Sequence, residues 1–178
     1  MTSSEMDQTR RSPLYTASER ARRDGTIWTL VQGILAPVQF VIFLVSLALV
    51  LRYLGTGEGY AITTASIIAK TIALYAIMVT GAIWEKVVFG RYLFAPAFFW
   101  EDVVSMGVIA LHTAYLIAIA FGIGSHTEQM VVALAAYAAY AINAAQFFLK
   151  LRQARLDTSS QASSTDKTAP SILEAQVQ

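Results

Sequence analysis

The sequence predicts an all-α integral membrane bundle of four transmembrane helices with both termini on the cytoplasmic side. Two observations carry the class and a third the orientation. Of the 178 residues, 56% are hydrophobic and only 14% charged, against roughly 25% charged in soluble domains. The polar residues crowd into the first 26 positions, the region after Leu151 and three short loops, leaving apolar runs long enough to cross a hydrocarbon layer of about 30 Å. The cations gather on one side. Arg10, Arg11, Arg20, Arg22 and Arg23 precede the first run, Lys86 and Arg91 separate the second from the third, and Lys150, Arg152 and Arg155 follow the fourth, while the opposite side has only Arg52. For an even number of spans this satisfies the positive-inside rule at every loop.

Each element then has its own reason. Residues 1–26 form a polar cytoplasmic arm in which only Ser18-Glu19-Arg20-Ala21-Arg22-Arg23 has helical character. More than twenty polar residues precede the first apolar run, which is not the form of a cleavable signal, so the first span is expected to be kept. The four-helix domain covers residues 27–150. Its first span, about 27–54, is long enough to tilt and carries Pro37, which predicts a kink. The turn Gly55-Thr56-Gly57-Glu58-Gly59 leads to a second span, about 61–83, closed by Trp84, a residue enriched at membrane interfaces. Residues 84–101 read as a cytoplasmic aromatic loop, amphipathic and broken by Gly90 and Pro96. A third span covers about 102–121, and a polar turn leads to a fourth, about 130–149. Residues 151–178, rich in Ser, Thr, Gln and Ala without apolar periodicity, are expected to form a structureless cytoplasmic tail dispensable for chemistry.

Several classes of function fall away. A net charge of +1 and no basic patch interleaved with aromatics speak against nucleic acid. The absence of cysteine removes disulfides, thiolate metal sites, iron–sulfur clusters and cysteine nucleophiles. No HExxH, phosphate loop, dinucleotide fingerprint or serine nucleophile motif occurs, which leaves acid–base chemistry.

Two sets of polar residues invite that chemistry. Gln39, Lys70 and His112 fall near mid-membrane when depth is counted at about 1.5 Å per residue. Ionisable groups at such depth are costly and face a bundle interior; snorkelling of Lys70 and a single interhelical hydrogen bond from His112 are the plainer alternatives. At the cytoplasmic end Glu85 and Lys86 close the second span and Glu101 and Asp102 open the third, so three carboxylates share one mouth. Asp102, Ser105, Ile109 and His112 follow helical spacing and lie on one face. Crowded carboxylates beside an apolar cavity can act as general acids, although acidic residues at a helix start also simply complement its dipole. Asn143 and Gln146 read as interhelical glue, helped by Ala141, Ala144 and Ala145. The aromatic loop residues, with Trp84 and Trp100 at its two ends, serve either as an interfacial anchor or as the lining for a flat apolar ligand, and composition alone does not separate these.

The sequence also resembles a known family. The residues that carry the likeness are Arg11-Ser-Pro-Leu-Tyr15, Glu19-Arg20-Ala21-Arg22-Arg23, Trp28-Thr-Leu-Val-Gln-Gly33, Ala36-Pro-Val-Gln-Phe40 and the long run Thr80-Gly-Ala-Ile-Trp-Glu-Lys-Val-Val-Phe-Gly-Arg-Tyr-Leu-Phe-Ala-Pro-Ala-Phe-Phe-Trp-Glu-Asp102. With these the chain resembles the 2-vinyl bacteriochlorophyllide hydratases, also called chlorophyllide 3-vinyl hydratases, of anoxygenic phototrophic bacteria, over roughly residues 11–155. The resemblance implies a lyase of the photosynthetic inner membrane that adds water to the C3-vinyl group of chlorophyllide a or a bacteriochlorin relative. No cofactor is implied, the magnesium being part of the substrate. The partners it implies are a tetrapyrrole, water, the bilayer and other enzymes of bacteriochlorophyll synthesis. On that chemistry Glu101 or Asp102, with Glu85, is expected to supply the general acid and position water. His112 is expected to ligate the substrate's magnesium, and Lys86 or Arg91 to pair with its propionate. A non-enzymatic pigment carrier would need the pocket and the metal ligand but no proton donor. A small transporter ranks last, because no Asp or Glu falls inside the four spans.

Overall fold

The computed structural model describes residues 14–175, and the portion of the arm before Leu14, with Arg10 and Arg11, lies outside the described residues. Five helices follow in order: α1 (Ala17–Gly25), α2 (Ile27–Thr56), α3 (Tyr60–Phe89), α4 (Phe99–Ala120) and α5 (His126–Ala175). Four of them are long and apolar enough to cross a membrane, α5 over His126–Arg152. Each span packs on its chain neighbour and α5 closes back on α2, so the four enclose a single interior, while α1 lies against α3.

Local chemistry sets the boundaries. Thr16 starts α1 with a capping box: its N–H donates to Glu19 Oε2 at 2.8 Å and its hydroxyl accepts from the Glu19 N–H at 3.3 Å. Thr26 caps α2 by accepting from the Trp28 N–H at 3.3 Å. Gly57 and Gly90 end α2 and α3 in the left-handed region, at φ 73° and 82°, each donating its N–H back to the preceding turn.

Two boundaries differ from the sequence reading. The aromatic loop shrinks to residues 90–98, because α3 runs on to Gly90 and α4 already begins at Phe99. The helix α5 continues through the segment expected to be structureless. Extending a helix already anchored by a packed span avoids the nucleation step that makes an isolated helix of this composition unfavourable.

The packing is inverted relative to a soluble protein. Buried positions recur every three or four residues, at Gln39, Phe43, Ser46, Val50 and Tyr53 on α2 and at Asp102, Ser105, Val108, His112 and Tyr115 on α4. Many of these inward residues are polar, whereas Leu30, Val41, Leu51, Ile62, Ile72 and Val79 point outward. Hydroxyls bind the helices together: Ser46 Oγ meets Ser66 Oγ at 2.7 Å and Tyr137 OH at 2.5 Å, and Tyr75 OH meets Thr113 Oγ1 at 2.7 Å.

Candidate functional site

The end of the bundle nearest α1 is built on aromatic rings. Tyr15 is buried, stacks on Phe89 at 5.8 Å and carries the Arg23 guanidinium over its face at 4.7 Å. Burial pushes its phenol above the usual range. Trp84 packs edge-on to Phe89 and Phe98, both at 5.7 Å, and its indole N–H donates to Thr29 Oγ1 at 2.9 Å. The Arg22 Nε–H donates to the Val88 carbonyl at 2.9 Å, which fastens α1 to α3.

Beside this cluster two carboxyl groups come together. Glu85, in the last turns of α3, and Asp102, in the first turn of α4, are both buried and are gathered by the same loop. The 90–98 loop holds them with consecutive amides, Phe94 N–H to Asp102 Oδ2 at 2.7 Å and Ala95 N–H to Glu85 Oε2 at 3.3 Å. Phe94 adopts φ 57°, the one positive φ outside glycine among the described residues. That conformation costs about 1–2 kcal/mol, which a hydrogen bond to a charged acceptor, worth about 1.5–3 kcal/mol, offsets.

The remaining expected residues divide. Glu101 is drawn away from the pair, its Oε2 bound by Lys150 Nζ at 2.6 Å. Lys86 is exposed, donates to the Gly90 carbonyl at 2.9 Å and lies over the Tyr92 ring at 5.3 Å, and Arg91 is exposed beside it. Trp84 is a structural member of the ring cluster. Trp100 is 70% exposed and packs on Phe99, which with Phe94 and Tyr92 forms an exposed aromatic rim.

Deeper in the bundle, Lys70 and His112 are both 0% exposed and Gln39 is buried. The Lys70 ammonium sits over the Tyr140 ring at 3.7 Å, and the His112 ring lies 5.8 Å from that of Tyr137. His112 Nδ1 is 2.8 Å from the Val108 carbonyl. This group and the carboxyl pair are separate places: His112 follows Asp102 by ten residues, about 15 Å of rise.

The sequence reading missed the two loop amides, the Lys150 partner of Glu101, and Tyr137 and Tyr140. The last two were findable from the three-residue spacing of Tyr137, Tyr140 and Asn143, which keeps them within about 120° of one another around α5.

Four apolar spans around a polar interior, with a buried carboxyl pair at one end, define a multi-pass membrane protein with an ionisable site near its boundary. The chain belongs to the 2-vinyl bacteriochlorophyllide hydratase family, whose sequence model matches residues 15–153. It is 72% identical over 144 residues to a 2-vinyl bacteriochlorophyllide hydratase of Cereibacter sphaeroides, covering 81% of this chain and 89% of that one. To a protein of the same description from Rhodobacter capsulatus it is 67% identical over 155 residues, covering 87% and 90%. No solved structure matches it.

Proposed function

We propose that this chain is a cofactor-free hydro-lyase that adds water to the C3-vinyl group of a chlorophyllide-type tetrapyrrole, giving the 1-hydroxyethyl product. One observation carries the reading of the site: Glu85 and Asp102 are buried together, each held by one of two consecutive loop amides, next to an exposed aromatic rim. Two carboxyl groups buried together favour the state in which one of them carries a proton, because desolvation and mutual repulsion disfavour two charges.

Such a pair holds both halves of a hydration. The protonated member donates to the terminal vinyl carbon, and the cation left on the ring-attached carbon spreads into the macrocycle. The ionised member takes a proton from water as its oxygen attacks that carbon. One proton leaves the pair and one returns, and no electrons change hands, so the step calls for no redox partner. Magnesium enters as part of the substrate.

The macrocycle rests on the rim of Tyr92, Phe94, Phe99 and Trp100, and the exposed cations Lys86 and Arg91 meet its propionate. Glu101, occupied by Lys150, positions the first turn of α4 and does not supply the proton. This pose makes no use of magnesium ligation by His112, which lies ten residues, about 15 Å of helix rise, from Asp102. The rim lies on the cytoplasmic side of the bacterial inner membrane, where the substrate is exchanged with other enzymes of bacteriochlorophyll synthesis.

The decisive assay incubates membranes containing the chain with chlorophyllide a and no added nucleotide or reductant. A product heavier by one water, with a blue-shifted red band, is expected. Pigment bound but unchanged overturns the reading in favour of a carrier.

A further inference from the structure

The polar stripe of α5 lies outside the reaction just described. Tyr137, Tyr140 and Asn143 lie within about 120° of one another around α5 over about 9 Å of rise, and Gln146 follows a further turn on, on the side of the helix away from Tyr137. His112 stands beside the first and Lys70 over the second. Asn143 donates to Ser105 Oγ at 2.7 Å, and that hydroxyl donates to the Glu101 carbonyl at 2.8 Å. The stripe therefore leads from the deep cluster to the first turn of α4, where the carboxyl pair stands.

Along this route five buried side-chain atoms have no protein partner: Gln39 Oε1, Lys70 Nζ, His112 Nε2, Asn143 Oδ1 and Gln146 Oε1. They come from all four spans, and Gln39, Lys70, His112 and Asn143 are each more than nine-tenths buried. The His112 Nδ1 faces a carbonyl and so carries the ring hydrogen, which leaves Nε2 as an acceptor alongside the three amide oxygens. Lys70 supplies the only amine of the group, and a buried amine with nothing but an aromatic face beside it is costly at mid-membrane, so its N–H groups need acceptors beyond Tyr140. Scattered acceptors and one amine in a shared interior call for a small ligand that both donates and accepts, which is water.

We propose that the bundle interior holds a file of ordered water along the α5 stripe, reaching the Glu85–Asp102 pair from the membrane side. A flat macrocycle laid across the rim covers the outer face of the pair, and the file then delivers the attacking water from behind. This delivery role rests on the hydratase reading, whereas occupancy by water does not.

The test uses the full chain in lipid nanodiscs without pigment, exposed to brief X-ray radiolysis in oxygen-18 water, which oxidises side chains next to bound water. Tyr137 and His112 are expected to take up label although they are buried. Met130, equally buried and in the same packed cluster as Tyr137 but about 10 Å of rise away from it, and intrinsically more reactive, is expected to stay unlabelled. Tyr137 and His112 as silent as Met130, or Met130 labelled as strongly as they are, overturns the file. In Asn143→Leu, which removes the step toward Ser105 and the first turn of α4, the exchange of oxygen-18 water at His112 is expected to slow several-fold, and unchanged exchange overturns the placement of the open end beside the carboxyl pair. Since no pigment is present, a failed hydration assay leaves this result untouched.

Discussion

On the proposed reading Glu85 and Asp102 divide one task between them, and neither is expected to tolerate loss of its acid function. Glu85→Gln and Asp102→Asn keep the shape and the loop hydrogen bonds but each removes a group that must donate or accept a proton, a role worth about 10²–10⁴-fold in rate. Losses of that size in kcat, with little change in pigment binding, are the expected outcome in membranes assayed by absorption. Glu101→Gln removes a largely buried ion pair with Lys150, a loss that falls on stability and not on proton transfer, so its effect on rate in the folded protein is expected to stay under roughly tenfold, well short of the roughly 10²–10⁴-fold of an acid–base role. An equal loss in Glu101→Gln would move the proton donor to that residue and dismantle the pair. The sequence identified all three carboxylates but could not rank them. Which one Lys150 claims and which two meet depends on helix register, and register is not written in any single helix's periodicity.

At the scale of the element, α1 is the part whose stability can be read from one cap. Thr16 holds the Glu19 carboxylate below its ordinary range through an amide and a hydroxyl hydrogen bond. A carboxyl whose folded pKa is depressed stabilises the helix fully above the unfolded value, near 4.3, and that stability disappears as pH falls through the folded value. Protection of the 17–25 amides, exchange measured against the unstructured rate at each pH, is therefore expected to be flat around neutrality and to fall below about pH 4. Glu19→Gln, which removes the titrating carboxyl, is expected to abolish that acid-side fall; an unaltered pH profile in that variant removes the capping box from the account. The spans themselves were legible because an apolar run of sufficient length leaves the chain no other choice in a bilayer. Their ends were less so. Trp84 and Trp100 read as loop boundaries by composition, yet α3 outruns the first to Gly90 and α4 begins before the second, because a left-handed glycine stops a helix more firmly than an aromatic residue does.

The whole molecule combines an apolar outside with a polar inside, and function depends on which way that bundle faces. If the rim, the carboxyl pair and α1 lie together at the cytoplasmic boundary, pigment is processed where Lys86, Arg91 and the arginines of α1 are also exposed to anionic lipid and solvent. The cation distribution favours this orientation, since cytoplasmic loops retain Lys and Arg, and the opposite turns offer only Arg52, itself 3.9 Å from Glu58. The chain has no cysteine, so single introduced thiols report topology without background. Ser18→Cys on α1 and Glu58→Cys in the α2–α3 turn both replace exposed side chains. In sealed inside-out vesicles a membrane-impermeant maleimide is expected to label Ser18→Cys at once and Glu58→Cys only after detergent. The reverse pattern places the carboxyl pair on the far side of the membrane, away from a cytoplasmic substrate. It overturns the orientation while leaving the four-span fold and the chemistry of the pair intact, because neither depends on which compartment the rim faces.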